Sequence, residues 1–140
     1  MSNELAIFGG SSTVTSHLQP WPPLEKEEID LIVELAQRSE ISYYGKEGVN
    51  AQLEEEFIKY HNCKYALSVS SGTASLHSAF VACGIGQGDE VIAPTHTFLA
   101  TVTPILMCNA IPILVDCEED NEGIDPIGIE KAITSQTKAM

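Results

Sequence analysis

The run Val69-Ser70-Ser71-Gly72-Thr73-Ala74-Ser75 sets two hydroxyl side chains around a glycine, between an apolar run at Tyr65–Val69 and an apolar helical pattern carrying Leu76, Phe80 and Cys83. A turn between a strand's carboxyl end and a helix's amino end exposes backbone N–H groups and the positive end of the helix dipole. Gly72 lets a ligand reach the backbone with no Cβ in the way, and the hydroxyls of Ser71 and Thr73 add donors. Such a corner suits a dianionic phosphate. The same residues have a plainer use, because Ser and Thr cap helices in any protein. A second glycine cluster, Gly84-Ile85-Gly86-Gln87-Gly88-Asp89, lacks the G-x-G-x-x-G spacing and stands after a helix and before a strand. It reads as a helix-to-strand connection with Gly84 at the cap, not as a dinucleotide turn.

Stepping outward, apolar positions Leu24, Ile29, Ile32, Val33, Leu35 and Ala36 predict a helix over 24–38, with acids in its first turn. A second helix is expected over 50–61, packing Leu53, Phe57 and Tyr60. Strand and helix then alternate: strand 65–69, helix 74–83, strand 90–94, helix 98–107, strand 111–115, and a helix over 126–133 capped by Asp125 with Pro126 in its first turn. Residues 137–140 read as the approach to a further strand. Short Val- and Ile-rich strands separated by helices predict an α/β fold, a parallel sheet in a three-layer α/β/α arrangement. Ligands in such folds gather at the strands' carboxyl ends, where 70–73, 94–98 and 116–118 fall. Pro104 conflicts with a continuous helix over 98–107, and Thr103 could instead cap a helix beginning there. The first 23 residues, stiffened by Pro20-Trp21-Pro22-Pro23, read as an extended arm, and 24–140 as an incomplete large domain.

At 140 residues and 44% hydrophobic, the chain has apolar material for one core. A formal net charge of −13 argues against nucleic acid and anionic membrane surfaces as partners. The acids fall in three patches, Glu25–Glu28, Glu54–Glu56 and Glu118–Glu122, read as solvated faces. With no apolar run long enough for a signal or a membrane span, the expected setting is cytoplasmic. Cys63, Cys83, Cys108 and Cys117 lack C-x-x-C pairing and read as reduced, mostly buried thiols. The histidines, His17, His61, His77 and His96, are too scattered for a metal site.

The segments Tyr65–His77, Gly84–Pro94 and Thr97–Thr101 together resemble the DegT/DnrJ/EryC1/StrS aminotransferases, pyridoxal-phosphate enzymes of fold type I that aminate keto-sugars and related cyclic ketones. Leu5-Ala6 with Gly9-Gly10 and Trp21-Pro22 is similar to the family's amino-terminal arm. Tyr44-Gly45 with Gly48 precedes its Phe57-containing helix, and Ile124-Asp125-Pro126, Ala132–Thr134 and Thr137–Ala139 extend the likeness over nearly the whole sequence. The resemblance implies the amino-terminal part of the fold type I large domain, here truncated. It implies pyridoxal 5′-phosphate as cofactor, its phosphate held by Ser71, Gly72 and Thr73 and its ring covered by Phe98. Tyr44 and His96 would face the substrate, although His96 could simply bond to a loop and Tyr44 could pack.

An amino-acid donor, a keto-sugar or cyclitol acceptor and a homodimer are implied as partners, with the arm's Gly-Gly and Trp-Pro features leaning toward cyclitol branches. The family's cofactor-bearing lysine and pyridinium-pairing acid have no match among these residues, so no catalytic residue is assigned and the chain is expected to be inactive by itself. Because a histidine replaces that lysine in sugar dehydratases of the family, dehydration is an alternative to transamination. A non-catalytic binding or dimerisation module is another.

Overall fold

The computed structural model describes residues 4–18, 20–41 and 47–140. Two compact units divide the chain, residues 1–52 and 53–140.

In the first unit, a 3-10 turn at Ala6–Phe8 is followed by irregular chain and then by helix α1, Lys26–Gln37. A capping box starts α1: the Glu25 side chain accepts from the backbone at Glu28, while the Glu25 amide donates 2.7 Å to Glu28 Oε2. Arg38 closes it with an ion pair to Glu34 at 3.2 Å. The periodicity that predicts α1 is present, yet Ile29, Ile32 and Val33 are all about half exposed.

Helix α2 spans Gly48–His61. Its Leu53, Phe57 and Tyr60, expected to pack, are exposed, and Phe57 lies instead against His61 with ring centroids 4.2 Å apart.

The second unit is built on a three-stranded parallel sheet. Helix α3, Gly72–Ala82, leads to strand β1, Glu90–Pro94; a 3-10 turn at Leu99–Thr101 and helix α4, Thr103–Met107, lead to β2, Ile111–Val115; helix α5, Pro126–Ala132, leads to β3, Thr137–Ala139. The order is β2-β1-β3, with Glu90 opposite Ile111 and Pro94 opposite Val115, so that β1 is the central strand. Successive side chains of a strand face opposite ways. Val91 and Ala93 meet Ile85, Ile105, Cys108 and Ala110 in the core, where Phe80 of α3 and Val102 also pack. Val115 faces the other way and touches α5, for a Cβ on Gly128 would stand 2.6 Å from Val115 Cγ1. The sheet thus has α3 and α4 on one side and α5 on the other, the three-layer α/β/α arrangement with a partial parallel sheet.

Several local expectations need correction. Residues 65–69 form no strand in this structure. Tyr65 and Leu67 are each about three-quarters exposed, and among the described residues no neighbouring strand offers the segment a hydrogen-bonding ladder. Helix 98–107 is two pieces, because a proline has no amide to give and is accommodated only in a first turn. Pro104 sits in the first turn of α4, and the Thr103 hydroxyl, rather than capping, donates back to the Leu99 carbonyl at 3.0 Å. Along α3 only Phe80 reaches the core, while Leu76 and Cys83 are exposed. Of the four thiols Cys108 is buried and Cys117 half-buried, whereas Cys63 and Cys83 are exposed.

The glycine-rich link is structural, as expected. Gly84 has φ +74°, its amide bonds to the Val81 carbonyl at 3.0 Å, and the Ile85 amide bonds to the Phe80 carbonyl at 3.0 Å. That pair of bonds is a Schellman motif, which reverses the chain from α3 toward β1. Asp89 ties the far side of the link by accepting from the Gly86 amide at 2.9 Å. Among the described residues no helix is long and apolar enough to cross a membrane.

Candidate functional site

Helix α3 begins at Ser71, whose backbone is extended (φ −166°, ψ 162°) and whose hydroxyl oxygen accepts from the Ala74 amide at 3.1 Å. The Ser75 amide bonds to the Ser71 carbonyl at 3.0 Å. Ser71 is therefore the cap, the plainer use foreseen for it. The two amides between, Gly72 and Thr73, have no acceptor among the described residues.

Nothing in the protein itself demands glycine at position 72. Its φ lies outside the left-handed region, and a Cβ there would meet nothing within 4 Å. What Gly72 provides is open access to its own amide. The first turn of α3 also has no acidic residue, whereas α1 has Glu27 and Glu28 there. In a chain so rich in carboxylates, the positive end of the α3 dipole is left without a side-chain counter-charge.

The length of α3 brings this turn level with the strand ends. Eleven helical residues rise about 16 Å, and the five of β1 span about 17 Å. The Schellman reversal turns one back along the other, and the 3-10 turn that follows β1 packs against α3. Thr95, His96, Thr97 and Phe98 occupy that connection. The Thr95 amide continues the ladder to the Val115 carbonyl at 2.9 Å, and its hydroxyl bonds to Asp116 Oδ1 at 3.3 Å. The Thr97 and Thr101 hydroxyls bond to each other at 2.8 Å. Phe98 is 81% exposed, so ordinary core packing does not account for it, and His96 is exposed as well. Ser71, Gly72 and Thr73 thus share one helix turn, with Phe98 and His96 on the neighbouring connection; Tyr44 lies outside the described residues.

The pattern of the DegT/DnrJ/EryC1/StrS aminotransferase family matches residues 22–140. The chain belongs to this family. Among the curated DegT/DnrJ/EryC1/StrS relatives, the L-glutamine:2-deoxy-scyllo-inosose aminotransferase of Micromonospora echinospora is 36% identical over 140 residues, 97% of this chain and 33% of the relative. Among solved structures, the aminotransferase from Psychrobacter cryohalolentis superposes with a TM-score of 0.77 at 32% identity, over 85% of this chain and 30% of that one. The GDP-4-keto-6-deoxy-D-mannose-3-dehydratase of E. coli superposes with a TM-score of 0.69 at 25% identity, over 82% and 30%. The chain spans about a third of the length of the curated relatives it matches. Its fold is that of part of the fold type I aminotransferases, as the sequence implies.

Two hydrogen-bonded features near these residues escape a reading of residue types. Glu54, taken with its neighbours for a solvated acid, is half-buried and accepts from both the amide and the hydroxyl of Ser68 at 2.8 Å. The Thr95–Asp116 link joins two loops at the strand ends across a gap of sequence that no local pattern signals. One lysine, Lys59, is set against attachment of a cofactor. Lys59 is held by Glu56 at 2.6 Å, and that bond, with the charge behind it, pushes its pKa above the ordinary lysine value. A nucleophilic amine needs the opposite shift.

Proposed function

We propose that residues 24–140 are the cofactor-phosphate portion of a pyridoxal-phosphate-dependent aminotransferase acting on a cyclitol or keto-sugar, with 1–23 as an extended arm. The observation that carries the reading is the pair of unengaged amides at Gly72 and Thr73, at a helix start with no acid in its first turn. A phosphate fits these donors: two N–H groups, an approach with no Cβ, and a dipole of the favourable sign. Bound there, pyridoxal phosphate supplies an electron sink for moving an amino group between an amino acid and a ketone.

In this reading the chain's own residues bind and orient. The Gly72 and Thr73 amides and the Thr73 hydroxyl hold the phosphate, with the Ser71 cap keeping the turn in shape. Phe98 lies against the ring, a contact that also shields the ring face from water. His96 is assigned to the substrate side, and Tyr44, outside the described residues, takes a substrate role only through the family resemblance. No residue among these 140 is assigned the proton transfers, and activity of this chain by itself is expected to be negligible.

The relatives support a cyclitol ketone as acceptor and glutamine as donor, since the M. echinospora enzyme is named for both. The dehydratase likeness supports a second reading of the same site, with lower identity. A homodimer and a cytoplasmic setting complete the proposal, the latter in keeping with four free thiols.

The test is a titration of the purified chain with pyridoxal phosphate and with pyridoxal, which has no phosphate. The parent is expected to favour the phosphorylated form by about tenfold or more, and Gly72→Val to abolish that preference while melting as the parent does. Equal affinity for the two compounds in the parent would contradict the proposal.

A further inference from the structure

Residues 65–69 enter the candidate site without a strand partner, and so the question is what fixes them. One oxygen answers it. Glu54 Oε1, on α2, accepts from the Ser68 amide at 2.8 Å and from the Ser68 hydroxyl at 2.8 Å. Among the described residues these are the hydrogen bonds that tie residues 66–70 to the rest of the protein. A pair of hydrogen bonds converging on one carboxylate oxygen fixes both the position and the orientation of the Ser68 peptide. Ser68 stands three residues before the Ser71 cap, and extended chain carries that placement over about 10 Å to the first turn of α3.

We infer that Glu54 is a positioning residue for the anion site: by clamping Ser68 it sets where the Gly72 and Thr73 amides stand. The inference rests on the reading of those amides as the cofactor-phosphate site. It gives one member of the Glu54–Glu56 patch a purpose that its neighbours, on the open face of α2, do not share. It also accounts for the half-burial of a carboxylate beside an otherwise exposed segment.

Glu54→Ala, Glu54→Gln and Ser68→Ala in the full chain test it by two readouts. The first is hydrogen–deuterium exchange without ligand. Glu54→Ala should speed exchange over 66–74 by about fivefold while the amides of β1 and β2 keep the parent's rates. The second is titration with pyridoxal phosphate and pyridoxal: Glu54→Ala should lose about tenfold in affinity for the phosphorylated compound and nothing for the other. Glu54→Gln, which keeps an acceptor oxygen, should recover most of both effects, and Ser68→Ala, which keeps the amide, should fall between.

Parent-like exchange and parent-like affinity in Glu54→Ala would overturn the inference. Should Glu54→Ala lose protection in β1 and β2 as well, Ser68→Ala decides, and parent-like behaviour there overturns it. A parent that does not prefer the phosphorylated compound removes the phosphate site and the positioning role with it. That result is distinct from a failed clamp, in which parent and Glu54→Ala share the same preference.

Discussion

Ser71 and Gly72 are adjacent and do separate work. The Ser71 hydroxyl satisfies one of the amides that every helix start leaves over, and Gly72 leaves its own amide accessible. Ser71→Ala should therefore lower stability by about 1 kcal/mol in urea unfolding, the ordinary cost of a lost cap. Gly72→Ala should not lower it, since a Cβ there meets nothing within 4 Å. Most of this was legible in the residue types, because a serine before a glycine at the end of an apolar run can be read as cap and anion site together. Which use falls to which residue was not. The cap goes to Ser71 because its extended backbone points its hydroxyl at the Ala74 amide, and sequence does not carry a ψ angle. Glu54 was illegible for a different reason: its partner lies fourteen residues away, and three acids in a row look alike until one of them is covered.

At the scale of elements, the punctuation in the sequence was accurate where its chemistry is local. Asp125 caps α5 by accepting from the Ile127 amide at 2.9 Å, Pro126 sits in the first turn, and Gly84 takes the left-handed turn after α3. Pro104 was a conflict that sequence could state but not resolve, and the fold resolves it by breaking the helix one turn earlier. The extended run at 65–69 forms no strand because β-propensity describes a pleated, half-buried surface and supplies no partner strand. One element contact had no sequence signal at all. Gly128 lets α5 lie on the sheet, and Gly128→Ala would drive a Cβ to 2.6 Å from the buried Val115 side chain. Despite the better helix propensity of alanine, that substitution should destabilise the protein by about 1–2 kcal/mol, read as a lower midpoint in thermal or urea unfolding.

Across the whole molecule, the three-layer order followed from the alternation of strand and helix patterns, since a parallel sheet needs crossovers and the crossovers cover its faces. The extent of the core did not follow. Hydrophobic periodicity states which side chains favour cover, not what covers them, and so α1 and α2 match their predicted periods while their apolar faces remain half exposed. Charge behaves largely as expected at this scale: among the described residues most acids are exposed, Glu54, Asp89, Glu90 and Asp125 are half-buried, and none stands in the first turn of α3. The central claim is that this turn takes a phosphate. Its most direct test follows each backbone amide by heteronuclear NMR as pyridoxal phosphate is added to the purified chain. The account predicts that the Gly72 and Thr73 resonances move first and farthest, with Phe98 responding to the ring, and that pyridoxal leaves Gly72 and Thr73 in place. Shifts centred on another part of the chain, with Gly72 and Thr73 unmoved at saturation, would contradict it.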